Sequence, residues 1–568
     1  MNGRDWKWLV LWIGLGAVLR FANLADKPVW TDEFSTIVFG LGNSYRTIPL
    51  NQVISFSDLV APLVARPTAD VGDVVQNLLT ESNHPPLYFV LTHLWVKLFG
   101  AGDGVVSIWL VRSLAAVFGV LTIPAMFGLG WLTWRSPLVA QLAAALTAVS
   151  PFGIYLAQEA RHYTLPTLWV IASLACLVIA LQHIHANRPI PLWVCGLWIV
   201  VNGLGVATHY FFVLTLAAEG LAIVGLAIAH IRMGKPWPGQ VWRRFAWVLL
   251  GTIATTLVWL PFVQGIGDSE LTQWIYRRNR QGFEWLEPLG QLLASSVTML
   301  YLLPIQSPMQ WLSTVSQVAL VVLLLWSLPW MVRGWVQQER DRPVMLQALG
   351  GFVVGAIALF LINSYGFSRD LTSAFRYSFV YYPAVLLLVA VSLNQVWIDA
   401  PSDRSKHAVK WWLRGRGRTV VVTVLVLGCV GSMAVVSNLA YQKTHRPERM
   451  VAILQQEFQA PTLLAMSHLS HGQTGRMMGL ALEWHRQNAD LPEPQVLLAQ
   501  DDSNREVAIA TLQTALQTQP RPLNLWAMNF EATKTPVLDA MLLQMQCVST
   551  SEVRRADGYR AQRYHCSA

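Results

Sequence analysis

Two adjacent carboxylates are the first residues of this chain that could do chemistry. Asp32 and Glu33 lie in the segment WTDEFST, a few residues after the first long apolar run. A carboxylate held beside a hydroxyl can take its proton as a general base. Acids at a helix start also have an ordinary role, because they cap the helix and are favoured by its dipole. A catalytic role therefore requires partners from elsewhere in the chain.

Two other short segments concentrate ionisable side chains. ESNHPPLY places Glu81 and His84 before two prolines, which by themselves mark only a helix start. QEARHY groups Glu159, Arg161 and His162 between two apolar runs. Ionisable groups at membrane depth are costly unless they have a role. We therefore count His84 and the QEARHY residues as candidate substrate-binding residues.

Two arginines sit in otherwise apolar surroundings. Arg112 lies in IWLVRSL, and Arg376 with Tyr377 lies in AFRYSFVYYP. A single arginine in such a place usually extends its head to lipid headgroups. Several arginines with carboxylates nearby fit a water-filled cavity better, and planar guanidinium groups bind phosphate oxygens in pairs.

Composition identifies the class of protein that must hold these residues. Of the 568 residues, 54% are hydrophobic and only 13% are charged, and the mean hydropathy is +0.41. Soluble domains carry about 25% charged residues, so this is a membrane protein. The net charge of +9 does not indicate nucleic-acid binding, because the basic residues fall mostly in short segments between apolar runs.

The apolar runs predict an α-helical polytopic protein with about eleven transmembrane helices, each near the ~20 residues needed to cross. The predicted spans are 7–25, 108–131, 138–157, 164–183, 191–208, 210–230, 245–264, 312–333, 344–362, 377–397 and 419–440. The segment 84–100 is short and carries Pro85, Pro86, His93 and Lys97, so we predict a juxtamembrane helix there.

Charge then orients the spans. With segment 84–100 in the interface, the basic loops share the side of Arg4 and Lys7, which the positive-inside rule makes cytoplasmic. These loops contain Arg135, Arg188, Arg232–Arg244, Arg333–Arg342 and Arg404–Arg418. The opposite face receives the first outer loop (26–107), the turns at 158–163 and 208–210, the loops 265–311 and 363–376, and the tail.

The tail differs in character from the rest. Residues 1–440 predict a transmembrane domain, whereas 441–568 predict a small α/β domain on the outer face. PTLLAMS, PQVLLAQ and PLNLWAMNF are typical of strands, and GRMMGLALEWHRQ and REVAIATLQTALQ of helices. Cys547 and Cys566 bracket a hairpin pattern that turns near Asp557 and Gly558. An oxidised pair would close a loop of about 20 residues and contribute roughly 3 kcal/mol; two free thiols are the alternative.

Transfer of a sugar from a polyprenyl phosphate carrier requires this combination of groups. The leaving group is a phosphate, which needs cations to hold its developing charge and little acid catalysis. The attacking hydroxyl must lose its proton to a positioned carboxylate. A single in-line displacement of this kind inverts the anomeric centre.

The motifs also resemble those of a known family. WTDEFST, HPPLYF, LVRSLAAVFGVLTIP, SPFGIYLAQEARHYTL and FRYSFVYYP, in this order over roughly residues 1–400, are similar to the C-type glycosyltransferases. The likeness is greatest to the bacterial branch akin to protein O-mannosyltransferases and the lipid A aminoarabinose transferase.

The resemblance implies that Asp32, with Glu33 beside it, is the catalytic base. It implies substrate-binding positions at His84, Arg112, Glu159, Arg161 and Arg376. It also implies a bacterial inner membrane, with the tail in the periplasm. Mannosyltransferases have an aspartate in the second outer loop, where this chain has QEARHY.

Metal use is left open by the sequence. Some members of this family bind a divalent ion, and Glu159, His162 and His209 are plausible ligand types. Their spacing across separate helices shows no ligand signature. A lone histidine at a helix end is more often an interfacial residue than a ligand.

Two other classes of protein share some of these features. A carrier or flippase for a lipid-linked sugar would also bind phosphate through arginines, but such proteins tend to show internal repeats, and none is visible here. A structural scaffold would account for the tail but not for the charged cavity. The donor is expected to be a polyprenyl-phosphate sugar and the acceptor a lipid, glycan or protein; neither sugar nor acceptor is specified by the residues.

Overall fold

The computed structural model describes residues 3–100, 102, 104–235, 237–263, 270–276, 280–341, 343–398, 417–487, 491–501, 507–530 and 535–567. Arg342 and most of the predicted basic loop Arg404–Arg418 lie outside these ranges.

The described chain is mainly helical, with strands confined to a few short segments. The helices are α1 (Gly3–Phe21), α2 (Thr31–Gly40), α3 (Phe56–Val60), α4 (Val71–Glu81), α5 (Leu87–Phe99), α6 (Ile108–Trp134), α7 (Pro137–Ala148), α8 (Pro151–Ala157), α9 (Thr164–His185), α10 (Leu192–Thr208), α11 (Phe212–Arg232), α12 (Gly239–Leu257), α13 (Leu260–Val263), α14 (Glu287–Thr298), α15 (Gln310–Asp341), α16 (Pro343–Leu361), α17 (Tyr382–Ile398), α18 (Gly417–Val436), α19 (Pro447–Gln456), α20 (His471–Gln487), α21 (Val507–Thr518) and α22 (Thr535–Gln544). The strands are β1 (Val53–Ile54), β2 (Thr462–His468), β3 (Gln495–Gln500), β4 (Leu523–Met528), β5 (Cys547–Ser549), β6 (Arg554–Ala556) and β7 (Tyr559–Cys566).

The chain divides into two compact units. Unit 1 comprises residues 1–24, 112–267 and 272–442, and unit 2 comprises 25–111, 268–271 and 443–568. The first outer loop and the tail therefore belong to the same unit. The domain boundary near residue 440 is a prediction from composition, and unit 2 adds the first outer loop to the tail.

Several helices of unit 1 can cross a membrane. Among the described residues, six helices are long and apolar enough, and the count reaches seven if the bent pair α7 and α8 forms one span. These six are α6, α9, α11, α15, α16 and α18. Helices also occupy the remaining predicted spans, but α10 and α17 are shorter, and the count of about eleven is not confirmed. The chain is a multi-pass membrane protein.

A break between α7 and α8 sets the direction of the chain towards the QEARHY turn. Ser150 caps α8 by accepting the Gly153 N–H, and Pro151 at the first helical position cannot continue α7. The two helices meet at 55°. The break leaves the carbonyl groups at the end of α7 without helical partners, and in an apolar environment such groups need other donors.

Arg20 supplies those donors from α1. Its guanidinium is fully buried and donates from Nη1 to the Ala148 oxygen at 3.1 Å and from Nη2 to the Thr147 oxygen at 2.9 Å. Ser432 of α18 donates to the Val149 oxygen at 2.9 Å. The cation also lies at the negative end of the α7 dipole. Arg20 thus joins α1 to the broken helix and stabilises the break.

Unit 2 is built on one mixed sheet. The described strands run in the order β1-β3-β2-β4-β7-β5, with β6 beside β7. β3, β2 and β4 are parallel, and β1 and β7 flank them in antiparallel directions. β2 and β4 are buried along their whole length, which explains why both are mostly apolar rather than alternating. The edge strand β1 comes from the first outer loop, with Val53 opposite Leu497.

The elements predicted for the tail are present. β2, β3 and β4 coincide with the three predicted strands, and α20 and α21 with the two predicted helices, although the start of the second helical segment lies outside the described residues. Cys547 and Cys566 pair across β5 and β7 and form a disulfide. The turn between β6 and β7 contains Gly558 at a φ of +79°, which glycine adopts without strain.

We predict that Arg20→Leu destabilises the protein strongly. The substitution leaves the Thr147 and Ala148 carbonyls without donors, at a cost of about 1–3 kcal/mol each. Thermal unfolding in detergent measures the effect. The matched control is Arg46→Leu, because the Arg46 side chain is 70% exposed and its loss should change stability by less than about 1 kcal/mol. Equal melting temperatures for the two variants would contradict the role given to Arg20.

Candidate active site

The paired acids lie at the start of α2 in unit 2 and have different surroundings. Glu33 is buried, 1% exposed, and its Oε2 accepts the Trp30 N–H at 3.4 Å. That contact is the ordinary capping role of an acid in the first helical turn. Asp32 is only partly buried. Of the two carboxylates, Asp32 is therefore the one that a substrate can reach.

The tail packs against this end of α2. A Cβ atom at Gly475 would lie 3.2 Å from Thr31 Cγ2, so the glycine lets α20 approach α2 closely. α20 begins three residues after β2 ends. In parallel α/β sheets, ligands usually bind beyond the carboxyl ends of the strands. Asp32 lies near that edge of the tail sheet.

Two histidines of the tail interact electrostatically with Asp32. Burial, reinforced by the charge of Arg476 and opposed by Asp32, lowers the pKa of His445 to about 4. Burial also lowers the pKa of His471 to about 4, with Asp32 again opposing. The His471 ring stacks on Tyr45 at 4.8 Å. Both imidazoles are consequently neutral near pH 7.

Cationic side chains of the tail complete this part of unit 2. The Lys443 Nζ lies 4.4 Å from the centre of the Trp30 ring, and Arg476 is close enough to influence His445. We call Asp32, Lys443, His445, His471 and Arg476 the α2 cluster. The sequence did not predict its tail members. The available signal was the polar, glycine-containing segment SHGQTGR, which follows the predicted strand and forms the first turns of α20.

His84 lies elsewhere in unit 2, just before α5. Its Nδ1 is 3.1 Å from the Ser82 hydroxyl, and its ring packs at 6.0 Å from Phe89. The prolines that follow it precede the first turn of α5, where Pro86 is the N-terminal cap residue. The structure therefore gives the HPP segment the helix-start role.

The QEARHY turn is buried in unit 1 between α8 and α9. Glu159, Arg161 and His162 are 4%, 1% and 0% exposed. Gln158 anchors the turn to the end of α1, because its Nε2 donates to the Ala22 oxygen at 2.8 Å and to the Leu19 oxygen at 3.3 Å.

Three distant segments meet beside this turn. The His162 and His209 rings lie 4.6 Å apart in a T-shaped contact, and Tyr377 lies 5.9 Å from His209. Tyr163 contacts both His162, at 4.5 Å, and Tyr377, at 6.4 Å, and the Arg161 guanidinium lies 5.8 Å from the Tyr163 ring centre. The residues predicted from QEARHY, THY and FRYSFVYYP therefore form one cluster in unit 1.

Arg376 lies at the edge of this cluster and is partly exposed. Its guanidinium packs on the rings of Trp274 and Tyr377 at 5.5 and 5.4 Å, and it hydrogen-bonds the Tyr155 side chain. These contacts orient the guanidinium. A cation that is oriented and accessible is suited to binding an anion.

A buried ion pair holds the loop that carries Arg376. Asp370 lies 2.9 Å from Arg280 Nη2, and both side chains are almost fully buried. Asp370 also accepts from the Thr372 N–H and the Ser364 hydroxyl. Burial alone would raise the pKa of Asp370, but these hydrogen bonds and the Arg280 charge outweigh it and lower the pKa. The sequence did not predict this pair, because Arg280 and Asp370 lie in different outer loops.

Arg112 is buried in α6, 1% exposed. Its Nη1 donates to the Leu24 oxygen at 2.9 Å, just beyond the end of α1. This contact gives Arg112 a role in holding the chain where unit 1 leads into the first outer loop.

Comparison with known proteins identifies solved structures that share this fold. No protein-family model and no curated protein matches the chain. Among solved structures, ArnT from Cupriavidus metallidurans in the apo state matches with a TM-score of 0.55 at 14% identity, over 99% of this chain and 98% of that one. The same protein bound to undecaprenyl phosphate matches with a TM-score of 0.54 at 15% identity, over the same shares.

The chain has the fold of ArnT. This likeness confirms the resemblance to C-type glycosyltransferases at the level of the fold. The archaeal oligosaccharyltransferase AglB from Archaeoglobus fulgidus matches more weakly, with a TM-score of 0.44 at 11% identity, over 100% of this chain and 74% of that one.

The candidate metal ligands do not form a binding set. Among the described residues, no group of three or more His, Cys, Asp or Glu side chains is arranged to hold an ion. His162 and His209 meet ring to edge, and the His209 Nδ1 accepts the Phe211 N–H at 3.0 Å.

The predicted site residues fall into two sets. Asp32, Glu33 and His84 belong to unit 2, and Arg112, Glu159, Arg161, His162, His209, Arg376 and Tyr377 belong to unit 1. Within unit 1, Arg161, His162, His209 and Tyr377 are brought together, with Arg376 beside them. Within unit 2, Asp32 and Glu33 lie together at the start of α2, whereas His84 lies just before α5. That both sets serve one cavity stays a prediction.

We predict that the two neutral histidines make the protein less stable in acid. The folded protein protonates each imidazole only near pH 4, whereas the unfolded chain does so near 6.5, so stability is lost as the pH falls from 6.5 to 4. The expected loss at pH 5 is about 1–2 kcal/mol per imidazole.

Melting temperatures at pH 7.5 and 5 check this prediction. The double variant His445→Gln and His471→Gln should lose less stability between these pH values than the unmodified protein. His485→Gln is the matched control, because His485 is an exposed histidine of α20. A double variant with an unchanged pH dependence would refute the assignment.

Proposed function

We propose that this protein is an inverting glycosyltransferase that moves a sugar from a polyprenyl-phosphate donor to an acceptor hydroxyl on the outer face of the membrane. The observation that carries the proposal is the likeness of fold to ArnT over 99% of this chain, since one of the matched structures is bound to undecaprenyl phosphate. The accessible Asp32 and the aromatic-held Arg376 supply the groups that such a reaction requires.

In the proposed reaction, Asp32 accepts the proton of the acceptor hydroxyl. The acceptor oxygen forms a bond to the anomeric carbon as the bond from that carbon to the phosphate oxygen breaks, and polyprenyl phosphate leaves with the electron pair. His445 and His471 are neutral near pH 7, so they add no positive charge beside Asp32. Glu33 holds the start of α2, which carries Asp32.

Arg376 is proposed to bind the donor phosphate. The guanidinium stabilises the charge that develops on the leaving phosphate. Its aromatic supports and the Asp370–Arg280 pair hold it in place before the donor binds, so little ordering is needed on binding. Arg161 lies in the adjoining cluster and is the second candidate cation.

The proposed compartment is the periplasm of a bacterium. The Cys547–Cys566 disulfide lies in unit 2, and disulfides persist in oxidising compartments. This supports an outer location for the tail and a cytoplasmic N-terminus.

Asp32→Asn is expected to lower the transfer rate by about 10²–10⁴, because the amide cannot take up the hydroxyl proton. The assay incubates purified protein with a radiolabelled polyprenyl-phosphate sugar and envelope acceptors, and it measures release of free polyprenyl phosphate. Asp26→Asn is the matched control, because Asp26 is an exposed acid of the same loop. Full transfer by the Asp32 variant, with the melting temperature unchanged, would remove Asp32 from the mechanism. If the unmodified protein transfers no sugar but moves the lipid-linked sugar across the membrane, the result would favour the alternative, a carrier or flippase.

Arg376→Ala is expected to raise the donor KM by about 10- to 100-fold, because the variant loses a charge-assisted pair of hydrogen bonds to the phosphate. Arg376→Lys should recover part of this loss, since lysine keeps the charge but not the planar fork. Arg369→Ala is the control: Arg369 is exposed on the same loop and likewise packs on an aromatic ring, that of Tyr276, at 5.5 Å. A donor KM that changes equally in the Arg369 and Arg376 variants would show that the effect comes from the loop rather than from a phosphate contact.

A further inference from the structure

A cavity opens between α10, α11 and α12 of unit 1, apart from the residues discussed above. Its volume is about 310 Å³, at the lower end of the range for ligand pockets. Most of its wall is apolar, with Trp242 and Phe245 on one side. Its lining also includes the polar side chains of Asn202, Glu219 and Thr252.

Glu219 has one partnered and one unpartnered carboxyl oxygen. The side chain is buried, 3% exposed, and Oε2 lies 2.9 Å from the Ser173 hydroxyl. Oε1 is buried and has no hydrogen-bond partner among the described residues. Buried polar atoms in proteins are nearly always hydrogen-bonded, so an unpaired oxygen beside a cavity points to a missing partner.

The hydrogen-bond network around Glu219 closes with a neutral carboxyl group. Ser173 Oγ accepts the Trp198 Nε1–H at 2.8 Å and also lies 3.0 Å from Asn202 Oδ1. Ser173 has only one hydroxyl hydrogen for two acceptors. Every acceptor has a hydrogen when the Glu219 Oε2–H donates a hydrogen bond to Ser173 Oγ and the Ser173 hydroxyl donates to Asn202 Oδ1. Asn202 Nδ2 in turn donates to Thr252 Oγ1 at 3.0 Å.

Burial supports the same protonation state. None of the described residues forms an ion pair with Glu219, and an unpaired carboxylate in a membrane span is costly. The neutral group leaves Oε1 as a carbonyl-type oxygen, which is an acceptor only. A ligand in this cavity must therefore present a hydrogen-bond donor to Oε1.

The position of the cavity favours an uncharged membrane lipid as its ligand. Glu219 is the eighth residue of α11, about 11 Å along the helix from its start. Apolar side chains at the cavity wall are exposed on the outside of the helices, namely Val224 at 50% and Leu249 at 59%. A ligand can enter from the lipid side, but a charged headgroup at this depth would be costly.

We propose that this cavity binds a single-chain lipid alcohol from the bilayer, with its hydroxyl donating to Glu219 Oε1 and its chain against the apolar wall. The site is independent of the proposed transfer reaction and uses none of its residues.

The test uses the full-length protein in phosphatidylcholine nanodiscs and two photoreactive probes. One is a diazirine-bearing dodecanol, and the other is its methyl ether, which has the same chain but no hydroxyl donor. Labelling of α11 and α12 peptides is quantified by mass spectrometry. The alcohol should label these peptides about 10-fold more than the ether, the value of one hydrogen bond.

Four variants test separately the hydrogen bond to Glu219 and the space inside the cavity. Glu219→Gln should keep labelling within about threefold, because an amide oxygen still accepts, whereas Glu219→Leu should reduce it about 10-fold to the level of the ether. Gly220→Leu should abolish labelling by filling the cavity; a Cβ at Gly220, which lines the cavity, meets no heavy atom within 4 Å. Gly225→Leu is the matched control on the same helix, with equally open space at its Cβ, and should leave labelling unchanged.

Three results would overturn the proposal. Equal labelling by alcohol and ether would exclude the donor contact. Loss of labelling in Glu219→Gln, which keeps an acceptor oxygen, would exclude a hydrogen bond to Glu219 Oε1 as the basis of binding. Undiminished labelling in Gly220→Leu would place the probe outside the cavity, and this last variant keeps the test decisive even if Glu219→Leu does not fold.

Discussion

Every buried backbone carbonyl needs a hydrogen-bond donor, and this requirement determines how unit 1 accommodates the break between α7 and α8. Pro151 ends α7 inside the bundle, and the freed carbonyls of Thr147, Ala148 and Val149 are satisfied by Arg20 and Ser432. Water would meet this need at a protein surface, but it is not available in an apolar environment. The break is therefore stable only with these two side chains in place. It leads into α8 and the QEARHY turn, where the candidate residues of unit 1 converge.

Buried ionisable groups in this protein are stabilised in three different ways. Arg20 is surrounded by carbonyl oxygens, Asp370 is paired with Arg280 and hydrogen-bonded, and Glu219 is held neutral within a hydroxyl and amide network. Arg376 differs because it is partly exposed and is supported by aromatic faces. Burial and partners thus distinguish Arg20 and Arg280, which hold the fold, from Arg376, the residue proposed to bind the donor phosphate.

Unit 2 joins segments that are more than 400 residues apart in sequence. β1 of the first outer loop pairs with β3 of the tail, and α20 packs against α2 through Gly475. As a result, His445 and His471 contribute to the electrostatic surroundings of Asp32. The tail is therefore part of the environment of the proposed base. A two-residue strand such as β1 has no pattern long enough to be recognised in the sequence.

The sequence alone determined the class of the protein, most of the helical segments and the three parallel strands of the tail, because hydropathy and alternation are local properties of the chain. It singled out Cys547 and Cys566 but left free thiols as the alternative, and the structure shows the disulfide. It also singled out Asp32, QEARHY and Arg376 by placing charge in apolar surroundings. Only the tertiary structure showed that Glu33 caps a helix and that Arg112 donates to a backbone carbonyl. Only the tertiary structure revealed the contacts of Arg20, the Asp370–Arg280 pair, the tail histidines and the Glu219 cavity. The physical reason is that the cost or usefulness of a charge depends on burial and on partners distant in sequence, and neither is encoded in local spacing.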